Sequence, residues 1–213
     1  MATIIPQLIP IEINSEKRRQ MVLTNIIKML TERKLLLTEE LDKNISDLLK
    51  NRNEDEIYTV KTKTEDITII LLLNQHITSI TKQSVIGDYL YKNIQQHKII
   101  VVGDINPRSR QLVQNKHNKI EIFLEKELMM NMVDCILVPK FEILTKEEAD
   151  LLLEEYNVKK KQMPYILIDD PEARYYNMKV DQICRIKRPS EMTGNTNYYR
   201  LCISKSKIAT TNK

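Results

Sequence analysis

Residues Ile67 to Leu73 constrain the fold more than any other part of this chain. Ile69 to Leu73 are apolar at five consecutive positions. A strand with one wet face alternates polar and apolar residues, so an unbroken run reads as a strand buried on both faces. Such a strand needs elements above and below its sheet, and the flanking sequence supplies them. Ser15 opens a helix with Glu16 in its first turn, and Leu23, Ile26, Ile27 and Leu30 fall on one stripe. Thr38 opens a second, with Leu41, Ile45, Leu48 and Leu49 as its stripe, and the polar residues Asn51 to Glu56 break it. Ile57 to Val60 reads as a strand before the long run. After it come a helix over 80–95, a short apolar strand from Lys98 to Val102, a helix over 107–116, a strand from Ile120 to Phe123 and a short helix over 124–129. This alternation predicts βαβ units and an α/β domain, closed by Met132 to Val138. Residues 1–14, with Ile and Pro interleaved, read as an extended arm.

Pro139 marks a boundary, which predicts one domain over 1–139 and a second over 140–213. Thr145 and Glu148 have the spacing of a capping box, and the helix they start places Ala149, Leu152, Leu153 and Tyr156 on one face. Asn157 to Gln162, with three lysines, reads as a linker or basic loop. Tyr165 to Ile168 is a strand. Asp170 is an N-cap with Pro171 at the first helical position, and the short helix runs to Tyr176. Asn177 sits where a left-handed stop is needed. Gln182 to Arg188 and Tyr198 to Ile203 are strands joined by a turn region containing Gly194. The fold class expected is therefore an α/β N-terminal domain, with a mixed sheet and flanking helices, followed by a small α+β C-terminal domain.

Composition excludes several function classes. The 213 residues are 42% hydrophobic and 29% charged, a balance that fits globular domains rather than disorder. Three glycines leave no room for a glycine-rich phosphate loop, which removes P-loop and dinucleotide chemistry. Cys135, Cys184 and Cys202 lack CxxC spacing and are odd in number, so a disulfide framework is not expected and a reducing compartment is. No basic segment followed by an apolar core and cleavage site stands at the N-terminus, and no apolar run approaches the ~20 residues of a membrane helix. Charge is unevenly spread. Residues 1–156 hold 21 Lys+Arg against 24 Asp+Glu, a balance of −3, while residues 157–213 hold 12 against 5, a balance of +7. A basic region points to nucleic acid or an acidic protein surface; the plain alternative is a solvated face.

Catalytic constellations are missing from the pattern. His76, His97 and His117 lie about twenty residues apart in polar, loop-like settings and read as surface histidines. Cys184 and Cys202 read as small buried hydrophobes rather than zinc ligands. A metal-dependent nuclease would want clustered carboxylates and an acidic-x-Lys strand triplet after Asp66, but the one acidic-x-Lys triplet is Glu32-Arg33-Lys34, in or just past the first helix. No cofactor, metal or small-molecule substrate is expected. Binding is better supported. Asn106-Pro107-Arg108-Ser109-Arg110 starts a helix beside two guanidinium groups, a sound phosphate contact or an ordinary helix start with solvated arginines. A denser cluster sets Arg174, Lys179, Arg185, Lys187, Arg188 and Arg200 among Tyr175, Tyr176, Tyr198 and Tyr199. On its first strand Cys184 and Ile186 share one face, and Arg185 and Lys187 the other.

These residues carry a resemblance. Residues 144–203 resemble the C-terminal domain of the fifth subunit of eukaryotic DNA-dependent RNA polymerases, which has an archaeal counterpart. The matching stretches are Leu144-Thr-Lys-Glu-Glu148, Met163-Pro164, Asp170-Pro-Glu-Ala-Arg-Tyr-Tyr176, Arg188-Pro-Ser-Glu191 and Tyr199-Arg-Leu201. Asn177 replaces a usual Gly, and Lys187 a usual apolar residue. The N-terminal part is similar more loosely, through its two-helix start, its strand–helix alternation and Leu137-Val138-Pro139; Asn106-Pro107-Arg108-Ser109 falls where the family has a Thr-Pro-Ser-Ala segment associated with downstream DNA. The resemblance implies a non-catalytic subunit of a multisubunit DNA-directed RNA polymerase, with an N-terminal jaw domain and a C-terminal assembly domain. It implies docking on the largest subunit through Asp170, Pro171, Arg174, Tyr175, Tyr176, Arg188, Pro189, Ser190, Glu191 and Arg200. It also implies contact between downstream duplex DNA and Pro107, Arg108, Ser109 and Arg110. Other polymerase subunits are the remaining partners, and no membrane is involved. The expected location is the nucleus for a cellular protein, or a cytoplasmic viral factory or virion for that of a large DNA virus. A free-standing nucleic-acid-binding protein and a degenerate nuclease are the rival readings.

Overall fold

The computed structural model describes residues 14–37, 41–50, 56–63, 65–78, 84–91, 95–116, 119–131, 134–135, 138–190 and 194–204. Residues 1–13 of the arm, the Thr38 cap, residues 51–55 of the polar break, His117 and Glu191 lie outside the described residues. The chain divides into two compact units, Met1–Met130 and Asn131–Lys213. Pro139 lies inside the second, directly before its first strand.

The first unit holds β1 (Ile57–Lys61), β2 (Asp66–Ile77), β3 (His97–Ile105) and β4 (Ile120–Leu124) in one sheet, in that order. β1 runs antiparallel to β2, and the other two pairs are parallel. The unbroken apolar run behaves as its pattern requires: Ile67 to Leu72 are all buried. One face of the sheet, with Ile70, Leu72, Ile100, Val102 and Ile122, packs on Ile86 and Leu90 of α3 (Val85–Tyr91) and Val113 of α4 (Pro107–Lys116). Each such side chain contributes about 1.5–3 kcal/mol by leaving water. The other face carries Tyr58, Ile69, Ile99 and Glu121, which the register sets in line. Helix α1 (Ser15–Glu32) crosses it, with Arg19 over the Tyr58 ring at 6.0 Å and its C-cap Arg33 on Glu121. Val22, Leu23, Ile26, Ile27 and Leu30 of α1 are buried. Helices α2 (Leu41–Lys50) and α5 (Glu125–Leu128) complete the unit.

Two expectations change here. The helix expected over 80–95 is described only as Val85–Tyr91: the Ser84 hydroxyl accepts from Gly87 N at 3.1 Å, which caps the start, and Gln95 already lies in a turn. His97 is not a surface histidine. It begins β3, is 8% exposed, and its ring nitrogens face Glu121 at 2.7 Å and Glu65 at 3.4 Å. The carboxylates satisfy it, so burial costs little. His76 is exposed as expected, though it lies in β2 and not in a loop, beside Asp104 at 3.0 Å.

The second unit holds β5 (Lys140–Ile143), β6 (Tyr165–Leu167), β7 (Ile183–Ser190) and β8 (Gly194–Ile203) in the order β5-β7-β8-β6. Helix α6 (Lys146–Glu155) covers one face of this sheet with Ala149 and Leu152 against Ile183, Leu201 and Ile203. The capping box that starts it is complete: Thr145 N donates to Glu148 Oε2 at 2.8 Å, and the Thr145 hydroxyl accepts from Glu148 N at 3.3 Å. Tyr156, expected on the apolar face, is the C-cap and is 59% exposed, with its ring edge against Tyr199. The basic loop contains one 3-10 turn, Lys160–Gln162. Helix α7 (Pro171–Tyr175) covers the opposite face with Ala173 against Cys184, Ile186 and Cys202. Asn157 and Asn177 both take φ of 50° directly after a helix, the backbone need that Gly usually meets. Among the described residues no helix is long and apolar enough to cross a membrane.

Candidate functional site

The cluster Asp170–Tyr176 is a small rigid platform. Asp170 Oδ1 accepts from Glu172 N at 3.0 Å, and Pro171 occupies the first turn. Tyr175 is buried, and its hydroxyl donates to Asn131 Oδ1 at 3.0 Å. Tyr176 stacks on Phe141 at 6.2 Å and meets Tyr175 edge-on at 5.2 Å. The two tyrosines therefore hold the helix down, while Pro171 is exposed and Arg174 half-buried. Burial first, and then the charge of Asp170, push the Glu172 carboxyl above the usual carboxylate range.

Register decides which other residues join this platform. Cys184 pairs with Arg200, Ile186 with Tyr198 and Arg188 with Thr196. Directly opposed residues share a face. Arg188, Tyr198 and Arg200 thus stand on the α7 face of the sheet, and all three are exposed. Pro189, one residue on, falls on the other face, and Ser190 pairs with Gly194 at the end of the hairpin. That other face carries Arg185 and Lys187, and both meet Glu142 on β5, at 3.6 and 2.7 Å. The exposed Lys187 is therefore answered by a cross-strand carboxylate. Cys184 and Cys202 lie fully buried in the α7 cluster, and burial pushes both thiols up to about 11.

The start of α4 separates its four residues into two pairs. Pro107 and Arg108 are exposed, and Arg108 N donates to Asn106 Oδ1 at 3.1 Å. Ser109 is buried and its hydroxyl donates to Thr78 O at 3.1 Å. Arg110 turns inward, onto Glu127 at 3.0 Å and Ile122 O at 2.9 Å. Pro107 and Arg108 face water, while Ser109 and Arg110 anchor the helix to the sheet.

Residues 130–202, which cover β5 to β7, α7 and all of β8 but its last residue, match the family model described as RNA polymerase Rpb5, C-terminal domain. Over 195 residues the chain is 31% identical to DNA-directed RNA polymerase subunit 5 of Acanthamoeba polyphaga mimivirus, across 89% of this chain and 94% of that protein. The chain belongs to the subunit 5 family of DNA-directed RNA polymerases. It is also 32% identical over 184 residues to subunit rpabc1 of the Dictyostelium discoideum RNA polymerases I, II and III, across 84% and 93% of the two chains. With the Caenorhabditis elegans RPABC1 it shares 38% identity over 114 residues, about half of each chain (53% and 54%).

One constellation in this subunit 5 relative is not apparent from the sequence pattern. At the N-terminal ends of the parallel strands, Arg33 holds Glu121 at 2.7 Å, Glu121 meets His97, and His97 meets Glu65, which Lys119 holds at 2.9 Å. Burial works against the Glu121 charge, but Arg33 and His97 outweigh it and bring the carboxyl down to about 2. One signal does point to it: Glu121 stands between Ile120 and Ile122 in an apolar strand, and a carboxylate there demands a partner. On the opposite, α3-facing side of β3, Lys98 is 4% exposed and donates from Nζ to Tyr89 O at 2.6 Å; burial pushes its ammonium below the usual lysine range. Among the described residues no group of three His, Cys, Asp or Glu side chains is placed to hold a metal ion.

Proposed function

We propose that this chain works as a non-catalytic, architectural subunit of a multisubunit DNA-directed RNA polymerase. What supports the reading is the match over 89% of the chain to a relative named DNA-directed RNA polymerase subunit 5. Residues 140–213 are the assembly domain and dock on the largest subunit through the α7 face. Asp170 and Pro171 set the helix, Tyr175 and Tyr176 hold it to the sheet, and Arg174, Arg188 and Arg200 present cations to acidic groups of the partner, with Pro189, Ser190 and Glu191 shaping the adjoining turn. The net balance of +7 over residues 157–213 supports this polarity.

Residues 1–139 are the jaw domain, which reaches downstream duplex DNA through the start of α4. Arg108 is the cation that faces a phosphate there, Pro107 fixes the first turn, and Ser109 and Arg110 hold the helix in place. Such contacts read no sequence, so affinity falls steeply with salt. The subunit acts where its polymerase acts, in the nucleus for a cellular enzyme and in the viral factory or virion for a viral one.

Isolation of the tagged chain from its own cells tests the reading. It predicts stoichiometric recovery with the two largest polymerase subunits, identified by mass. A chain that runs alone, or that cuts DNA when Mg²⁺ is added, contradicts it. Within the assembled enzyme, Arg108→Ala should weaken crosslinking of the α4 start to downstream DNA and leave the subunit bound; unchanged crosslinking removes the DNA contact.

A further inference from the structure

The hairpin of β7 and β8 is longer than the strands beside it. β5 pairs with β7 from Cys184 to Lys187, and β6 with β8 from Leu201 to Ile203. β7 and β8 pair with each other all the way to Ser190 and Gly194. The distal half of the hairpin therefore has two outer edges. Backbone hydrogen bonds fix which residues point outward. Leu201 N donates to Pro164 O on the β6 side, and Cys202 N donates to Gln182 O on the β7 side, both at 2.8 Å. Direction alternates along a strand, so Asn195, Asn197 and Tyr199 aim their N–H and C=O groups away from β7. Among the described residues these three find no backbone partner on that side. On β7 the same alternation aims residue 189 outward, and that residue is Pro189, which has no N–H to offer. One edge is blocked and the other is open.

The open edge has a chemical character. From Gly194 to Ile203 it carries no acidic residue. Tyr198, 50% exposed, and Arg200 lie on one face, with Arg188 beside them on the next strand. Natural edges are commonly protected by lysines, prolines or bulges, and β8 has none of these before Arg200.

We infer that the outer edge of β8 over Asn195–Tyr199 takes up one extended segment of another polymerase subunit, which joins the sheet as a further strand. That segment carries an acidic side chain beside Arg200 and an apolar or aromatic one, two residues away, beside Tyr198; this spacing follows from the period of two. The inference rests on the subunit reading above and names how the partner is held.

Amide hydrogen exchange on the full-length chain, alone and reassembled with polymerase lacking this subunit, tests it. In the free chain the amides of Asn195, Asn197 and Tyr199 exchange readily, while those of Thr196, Tyr198 and Arg200 are protected by β7. On assembly the first three slow by about tenfold or more. Asn197→Pro deletes one outward N–H and no bond to β7, so it weakens assembly by about tenfold with the unfolding midpoint unchanged. Assembly without added protection at the three amides overturns the inference and leaves the subunit reading intact. A wild-type chain that does not assemble overturns both. Protection already present in the isolated chain, together with a doubled mass, assigns the edge to a second copy and overturns the inference as well.

Discussion

In the first unit Arg33 is fixed to Glu121 at 2.7 Å with 4% of its side chain exposed, and Arg110 is turned onto Glu127 and a carbonyl. In the second unit Arg188 and Arg200 stand exposed on the α7 face. The same residue type is a brace in one unit and a presented charge in the other. The difference lies in what each strand offers nearby. Glu121 occupies a strand covered by α1, so its charge must be met inside the fold, whereas β8 carries no acid over its length. An arginine's role is thus set by the register and by the acids the fold brings to it, not by its place in a basic stretch.

The largest test of that contrast removes Glu121. Glu121→Ala takes the carboxylate from the buried Arg33 and His97 and should cost the first unit about 3–5 kcal/mol in denaturant unfolding. Arg188→Ala should change unfolding by no more than about 0.5 kcal/mol. Equal costs would erase the distinction between brace and presented charge.

Acid should separate the two units by sign. The Glu121 carboxyl ionises at about 2 in the fold against 4.5 in the open chain. Its contribution is full above 4.5 and drains away as pH falls toward about 2, because the unfolded state takes up the proton first. Glu172 runs the other way: its carboxyl is raised by burial and by Asp170, so its contribution is full below the ordinary carboxylate range and is lost as pH rises through the raised value. Unfolding followed from neutral pH downward, with Glu121→Gln and Glu172→Gln as references, should show the first slope flattened by one substitution and the second by the other. Matching slopes in both variants would contradict these assignments.

A smaller effect concerns the platform alone. Asp170→Ala removes the acceptor for Glu172 N and should cost the second unit about 1 kcal/mol, without touching the first.

Much of this was legible in the sequence. Burial of Ile69 to Leu72 in the middle of β2 followed from the unbroken apolar run, and the caps at Thr145 and Asp170 from residue type and spacing. Alternation correctly set Cys184 and Ile186 on one face of the strand and Arg185 and Lys187 on the other. What escaped depends on contacts between distant residues. Nothing local marks His97 as buried, because its partners arrive from residues 65 and 121. Nor does the Pro107–Arg110 stretch show that Arg108 faces water while Arg110 does not; that depends on Glu127 lying next to the helix. The outward edge of β8 was likewise invisible, since it is defined by where β6 stops pairing.

The most direct test of the account is the affinity of the full-length chain for polymerase lacking this subunit, compared with a variant carrying Arg188→Glu and Arg200→Glu. Presented charges predict affinity lower by about a hundredfold with unfolding unchanged. A folded variant that binds as tightly as the wild type would show that the α7 face does not carry the docking.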